Sequence, residues 1–168
     1  MNKKVKNLVL AGLIAAVYMV LCYAQDFILP GSATWAIQYR ISEALCVLAL
    51  FTPAAIPGLT VGCFLFNLSV VGALPLDIVV GPAATCLAAV VMYLSRNWKI
   101  KSFPLFALLM PALFNGLMVG WELAVYIGGG FWFNAGCVAL GEIAVLFTLG
   151  IALYYGLKVR NLDTRLFS

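Results

Sequence analysis

Histidine is absent from this 168-residue sequence, and charged residues make up only 10% of it. Without histidine the chain cannot form a Ser-His catalytic triad, and most zinc and haem sites are excluded as well. The five cysteines include no Cys-x-x-Cys pair, so they are interpreted as small buried thiols. No Gly-x-x-x-x-Gly-Lys-Ser/Thr motif occurs, so the chain cannot bind a nucleotide through a P-loop. We therefore predict no catalytic activity, no cofactor and no metal site.

Apolar residues, in contrast, dominate the composition. They make up 65% of the chain, and its mean hydropathy is +1.09, whereas a soluble domain carries about 25% charged residues. Runs without a charged residue cover 7–25, 44–76, 78–95, 102–121 and 123–141. A membrane-spanning helix needs about 20 mostly apolar residues, so the run 44–76 is long enough for two.

We predict an all-α integral membrane protein, a single domain over residues 1–168 that forms a compact bundle of six transmembrane helices. The predicted helices cover 7–25, 38–52, 55–72, 75–95, 102–127 and 135–157. Pro53 and Pro57 separate the second helix from the third, because proline lacks an N–H and clashes with the preceding turn. A re-entrant pair between residues 40 and 70 is the alternative to two full spans.

The basic residues determine the predicted orientation. Nine of the ten lie in three clusters, and six spans place all three on the same side of the membrane. The positive-inside rule makes that side cytoplasmic, so both termini are predicted to be cytoplasmic. The clusters are Lys3, Lys4 and Lys6; Arg96, Lys99 and Lys101; and Lys158, Arg160 and Arg165. The membrane topology therefore accounts for the net charge of +4, and no nucleic-acid partner is expected.

The acidic residues of the apolar region collect toward the opposite side. A carboxylate near the middle of a bilayer costs roughly 2.5–3.5 kcal/mol, so several gathered on one side indicate a ligand site. These residues are Glu43, Asp77, Glu122, Glu142 and the loop residue Asp26. Arg40 is the only cation predicted inside the membrane, so three of the carboxylates should lack a basic partner. We predict that they line a water-filled pocket near the outer face.

Other polar side chains complete the candidate site. Arg40 and Glu43 are predicted to share a helical face, either as a structural ion pair or with Arg40 orienting Glu43 beside a ligand. Asp77 is predicted to open the fourth helix, where stabilisation of the helix dipole would also explain it. Asn115 and Glu122 are seven residues apart and should face the same way. The remaining candidates are Gln38, Asn67, Trp121 and Glu142.

Small residues recur at i, i+4 spacing along the first helix. Ala11 is followed by Ala15, and Gly12 is followed by Ala16. Ridges of this kind let another helix approach closely. They lie in the cytoplasmic half, where they either pack within the bundle or dock a membrane partner.

Four stretches of the sequence carry a more specific signal. They are Gln38-Tyr39-Arg40-Ile41-Ser42-Glu43-Ala44-Leu45; Phe51-Thr52-Pro53-Ala54-Ala55-Ile56-Pro57-Gly58-Leu59; Gly62-Cys63-Phe64 with Asn67; and Leu76-Asp77 with Gly81-Pro82-Ala83-Ala84-Thr85. Together they resemble the queuosine-precursor S-component family of energy-coupling-factor transporters. The resemblance implies a substrate-binding subunit in the bacterial plasma membrane, with its site near the outer face under the loop after helix one. It also implies that helix one docks on a membrane coupling subunit, which two ATPase subunits serve.

The ligands that the resemblance implies are 7-deazaguanines, such as the aminomethyl form, the cyano form or queuine. Glu43 or Glu122 would accept the N–H groups of the guanine edge, as carboxylates accept from base edges elsewhere. Asp77 or Glu142 would face the aminomethyl group. The side-chain amides of Asn67, Asn115 and Gln38 would form hydrogen bonds with the carbonyl oxygen and ring nitrogens of the ligand. Flat faces for the ring would come from Trp35, Tyr39, Trp121, Trp132 and Phe133.

Three other functions stay open at this point. The chain could be an S-component for another vitamin-like solute. It could be a small proton- or cation-conducting membrane protein, although its acids should then follow a path through the bilayer. A membrane-embedded enzyme could use Asp77 and Glu142 for proton transfer, but the sequence offers it no nucleophile flanked by a base.

Overall fold

The structure, a computed structural model, describes residues 2–30, 39–70, 74–101, 103–159 and 161. Helices make up most of this described part, which contains no β-strand. In chain order they are α1 (Lys3–Ile28), a 3₁₀ helix (Ile41–Leu50), α2 (Ala55–Ser69), α3 (Asp77–Leu94), α4 (Leu105–Leu108), α5 (Met110–Tyr126), α6 (Phe131–Val145), a π-helical turn (Leu146–Gly150) and α7 (Ile151–Val159). The predicted all-α class is confirmed.

Four helical stretches are long and apolar enough to cross a membrane. They are Lys3–Ile28, Asp77–Leu94, Leu105–Tyr126 and Phe131–Val159. The 3₁₀ helix and α2 are also apolar, but they have only 10 and 15 residues. At about 2.0 and 1.5 Å per residue, each spans roughly two-thirds of a 30 Å hydrocarbon core. All six predicted helical segments are therefore present, four of them at spanning length.

One predicted helix boundary is wrong for a local reason. The segment 128–134, which separates the fifth and sixth predicted helices, is helical from Phe131, and Asn134 lies in the first turn of α6 and donates to the Gly128 carbonyl at 3.0 Å. Gly128 has a φ of +86°, which favours glycine, so the turn is short. The fifth predicted helix is interrupted at Leu109, between α4 and α5, and Pro111 lies in the first turn of α5, where its missing N–H costs little.

Basic residues from three parts of the chain lie near the connection between the 3₁₀ helix and α2. Arg96, Lys99 and Lys158 line one cavity together with Leu50, the last residue of the 3₁₀ helix. Lys4 lies beside the turn that leads into α2. The connections at this basic end therefore join the 3₁₀ helix to α2 and α3 to α4. Arg160 and Arg165 lie outside the described residues.

Glycines allow two helix pairs to approach closely. In α2, a Cβ added to Gly58 or Gly62 would lie 2.8 Å from the Ala11 carbonyl oxygen or the Tyr18 Cβ of α1. In α5, a Cβ at Gly120 would lie 2.6 Å from the Ala135 Cα of α6. The helix α3 contacts both α2 and α5, so it joins the two pairs. This arrangement brings the polar side chains of α2, α3, α5 and α6 into the interior.

Candidate functional site

A buried ion pair joins Arg40 to Asp77 at the start of α3. The Arg40 Nη2 and Asp77 Oδ2 atoms are 2.9 Å apart, and the two side chains are only 5% and 8% exposed. The prediction that Arg40 pairs with Glu43 is therefore wrong. Arg40 precedes the 3₁₀ helix with an extended backbone, φ −97° and ψ 98°, so the helical i, i+3 relation does not apply to it. Its side chain reaches α3 instead.

Asn67 and Gly81 shape the space around this pair. The Asn67 amide donates to the Asp77 main-chain carbonyl at 2.7 Å, which ties α2 to α3. A Cβ at Gly81 would lie 2.7 Å from the Asn67 Nδ2 atom and 2.8 Å from the Asp77 Oδ1 atom. Only glycine therefore fits at residue 81 without moving these polar groups. The helix α3 continues through Pro82.

Glu43 is held by three side chains. Its Oε1 atom accepts hydrogen bonds from the Tyr18 hydroxyl at 2.5 Å and the Thr85 hydroxyl at 3.4 Å, and its Oε2 atom accepts from the Cys46 thiol at 3.0 Å. Glu43 is fully buried. None of these three donors is predicted by the sequence pattern. The presence of Tyr18 in the middle of an apolar helix, at spacing i, i+4 from Cys22, was the one available signal.

The segment before the 3₁₀ helix is fastened to α1. The Gln25 side chain accepts from the Ile41 N–H at 2.7 Å and donates to the Tyr39 carbonyl. One turn earlier, the Cys22 thiol contacts the Ser42 hydroxyl at 3.0 Å. These contacts fix the position from which Arg40 extends into the bundle. Gln38 and Trp35, both predicted for the site, lie outside the described residues.

The helices α5 and α6 contribute two further carboxylates. Glu142 accepts from the Asn115 amide at 2.9 Å, and both side chains are buried. Glu122 is also buried, as predicted from its spacing with Asn115, but neither of its carboxylate oxygens has a hydrogen-bond partner among the described residues. Its neighbour Trp121 is 50% exposed on the outside of the bundle.

The buried carboxylates interact electrostatically across the bundle. The carboxyl group of Glu122 lies within range of a Coulombic interaction with Asp77 and Arg40. The carboxyl group of Glu142 lies within range of such an interaction with Glu43. The four carboxylates and the Arg40 guanidinium therefore form one group, which we call the acidic cluster. Carboxyl groups outnumber the one guanidinium by three in it.

Five buried oxygen atoms of this region have no hydrogen-bond partner among the described residues. They are Asn67 Oδ1, Asp77 Oδ1, Glu122 Oε1, Glu122 Oε2 and Glu142 Oε2. All five are acceptors when the carboxyl groups are ionised. Because a buried polar group without a partner costs about 1–3 kcal/mol, the cluster is suited to a ligand with several donors. The described residues contain no group of His, Cys, Asp and Glu that could hold a metal ion.

Aromatic side chains are mostly on the outer surface of the bundle. Trp132 and Phe133, at the start of α6, are 77% and 69% exposed, and Tyr39 is 47% exposed. With Trp121, they face away from the buried acidic side chains in this structure. Exposed Trp and Tyr are typical of the membrane–water interface.

The small residues of α1 divide into two sets. Ala11 and Ala15 are buried, and their carbonyl oxygens lie against Gly58 and Gly62 of α2. Gly12 and Ala16 are exposed, and a Cβ at Gly12 would meet no atom within 4 Å. The first set packs within the bundle, and the second leaves a smooth outer face.

The ion pair generates a stability prediction. Replacing Asp77 by Asn leaves the buried Arg40 charge without its counter-ion, which should lower the free energy of unfolding by about 3–5 kcal/mol. Arg40→Gln should cost a similar amount, and the double variant should lose much less than the sum of the two, because neither member of the pair is then left without the other. Denaturant unfolding in detergent micelles measures this cycle. Additive losses would show that the pair is not coupled.

Comparison with known proteins places this geometry in a family. The family described as QueT transporter matches residues 8–159, a range that contains every side chain of the acidic cluster. No curated protein matches the chain, and no solved structure matches it. The match covers far more than half of the 168 residues and confirms the resemblance found in the sequence. The chain therefore belongs to the QueT transporter family.

Proposed function

We propose that this chain is the substrate-binding S-component of an energy-coupling-factor importer, and that it takes up a queuosine precursor. The observation that carries the proposal is the set of five buried acceptor oxygens without partners among the described residues. They come from four helices, α2, α3, α5 and α6. A donor-rich small molecule would complete their hydrogen bonds.

A 7-deazaguanine matches this set of acceptors. The ring N–H and the exocyclic amine of its guanine edge are adjacent donors, which one carboxylate can accept in bidentate fashion. Glu122 has both oxygens without partners among the described residues, whereas both oxygens of Glu43 already accept hydrogen bonds. We therefore assign the guanine edge to Glu122 and a supporting role to Glu43.

The charge of the cluster favours the aminomethyl form of the precursor. An ammonium group would offset part of the negative excess and donate to the remaining oxygens of Asp77 and Glu142. A nitrile is an acceptor, so the cyano form would place an acceptor against acceptors. A proton- or cation-conducting function would instead need acids along a path, but Glu43, Asp77, Glu122 and Glu142 interact within one group.

Coupling to ATP hydrolysis requires other subunits, since the sequence has no P-loop. The exposed ridge of Gly12 and Ala16 on α1 is suited to close contact with a helix of a membrane coupling subunit. The basic end of the bundle would face the cytoplasm and the acidic cluster the outside of a bacterial plasma membrane.

The Glu122 assignment is tested by Glu122→Gln. Loss of charge and of one acceptor should weaken binding of aminomethyl-7-deazaguanine about a hundredfold, because hydrogen bonds to charged groups contribute about 1.5–3 kcal/mol each. The same variant should unfold at an equal or higher temperature without ligand, since it removes a buried unpaired charge. Calorimetry and thermal unfolding of the purified protein measure the two effects.

Glu43→Gln is the matched control. It should lower the unfolding temperature of the ligand-free protein, because Tyr18, Cys46 and Thr85 all donate to Glu43. Wild-type affinity in Glu122→Gln would contradict the assignment. Absence of binding of any 7-deazaguanine to the folded wild-type protein would contradict the proposed substrate.

The coupling face is tested by Gly12→Leu and Ala16→Leu. Added bulk on this exposed ridge should block uptake by the assembled transporter, because it prevents close helix contact, while ligand binding by the isolated subunit stays within about twofold. Gly136→Leu is the control, since Gly136 is exposed on α6 with no atom near its Cβ position. Equal uptake by the control and the two α1 variants would contradict the assignment.

A further inference from the structure

A polar cavity lies at the basic end of the bundle, away from the acidic cluster. Its volume is about 290 Å³. Three parts of the chain form it: the end of the 3₁₀ helix, the α3–α4 connection and α7. The polar side chains that line it are Arg96, Asn97, Lys99, Tyr154 and Lys158. None of them belongs to the acidic cluster.

Tyr154 forms part of the wall of this cavity. The residue is only 2% exposed, and its hydroxyl is shielded from the open space and has no hydrogen-bond partner among the described residues. Its ring contacts Phe51, with centroids 5.5 Å apart, and the Lys158 ammonium, 4.7 Å from the ring centroid. A buried hydroxyl without a partner is destabilising, so a ligand acceptor that the hydroxyl reached by a small shift of the side chain would offset a cost that the fold otherwise carries.

Positive charge converges on the same cavity. Arg96 is held by a hydrogen bond of 2.6 Å to the Tyr93 carbonyl and by the Tyr93 ring, whose centroid lies 4.0 Å from the guanidinium carbon. Lys99 and Lys158 add two more cations, and the described residues lining the cavity include no acid. The positive-inside rule explains basic residues at this end. It does not explain their convergence on one cavity with a buried hydroxyl.

Aromatic side chains beside the cavity indicate the depth of lipid headgroups. Trp98 lies between Asn97 and Lys99, is 65% exposed, and its ring centroid is 5.4 Å from that of Phe106. Exposed Trp is typical of the membrane–water interface. Basic pockets between helices at this depth bind anionic lipid headgroups. We propose that the cavity formed by Arg96, Lys99, Tyr154 and Lys158 binds the phosphate group of an anionic phospholipid.

Native mass spectrometry of the full chain in detergent, titrated with phosphatidylglycerol, tests the proposal. Tyr154→Phe should weaken lipid binding about tenfold, since one charge-assisted hydrogen bond is lost, and Lys158→Gln should weaken it about fivefold. The matched controls are Tyr155→Phe, an exposed neighbouring tyrosine, and Lys3→Gln, an exposed lysine outside the cavity. Both should bind as the wild type does. Thermal unfolding verifies that every variant is folded.

Three results would overturn the proposal. Tyr154→Phe could bind lipid as tightly as Tyr155→Phe, in which case the hydroxyl does not contact the phosphate. Lys158→Gln and Lys3→Gln could lose affinity equally, which would indicate general surface attraction. Inorganic phosphate could stabilise the protein against heat while phosphatidylglycerol does not bind, which would exclude a lipid as the source of the phosphate.

Discussion

The surplus of carboxylates over cations inside an apolar bundle is the constraint on which the rest of the structure depends. Four buried acids face a single guanidinium, and each is satisfied to a different degree. Asp77 has an ion pair, Glu43 has three donors, Glu142 has one, and Glu122 has none among the described residues. This gradation separates acids whose hydrogen bonds connect parts of the fold from acids whose oxygens have no partner among the described residues.

Small residues let this cluster form in a narrow space. Gly58 and Gly62 bring α2 against α1, so that Tyr18 reaches Glu43, and Gly81 leaves room for the contact between Asn67 and Asp77. The same α1 that is fixed by Ala11 and Ala15 presents Gly12 and Ala16 outward. One helix thus supports the acidic cluster on one face and leaves small residues exposed on another.

The sequence predicts the helical segments and the burial of the acids, because both follow from local hydropathy and spacing. The hydrogen-bond partners of Glu43 could not be predicted from the sequence, since Tyr18, Cys46 and Thr85 contact Glu43 only through the tertiary fold. The ion-pair partner predicted for Arg40 is wrong because Arg40 has an extended backbone and precedes the 3₁₀ helix. Hydropathy does not reveal this backbone conformation. The small residues of α1 were compatible with packing inside the bundle or with docking of another subunit. Ala11 and Ala15 are buried, so these two pack inside the bundle.

An experimental structure of the protein with aminomethyl-7-deazaguanine would locate the ligand relative to Glu122. Two nitrogen atoms of the guanine edge should lie within about 3.2 Å of the Glu122 oxygens, with the ring enclosed between α3 and α5. A ligand bound elsewhere, with the Glu122 oxygens still without partners, would contradict the proposed role of Glu122.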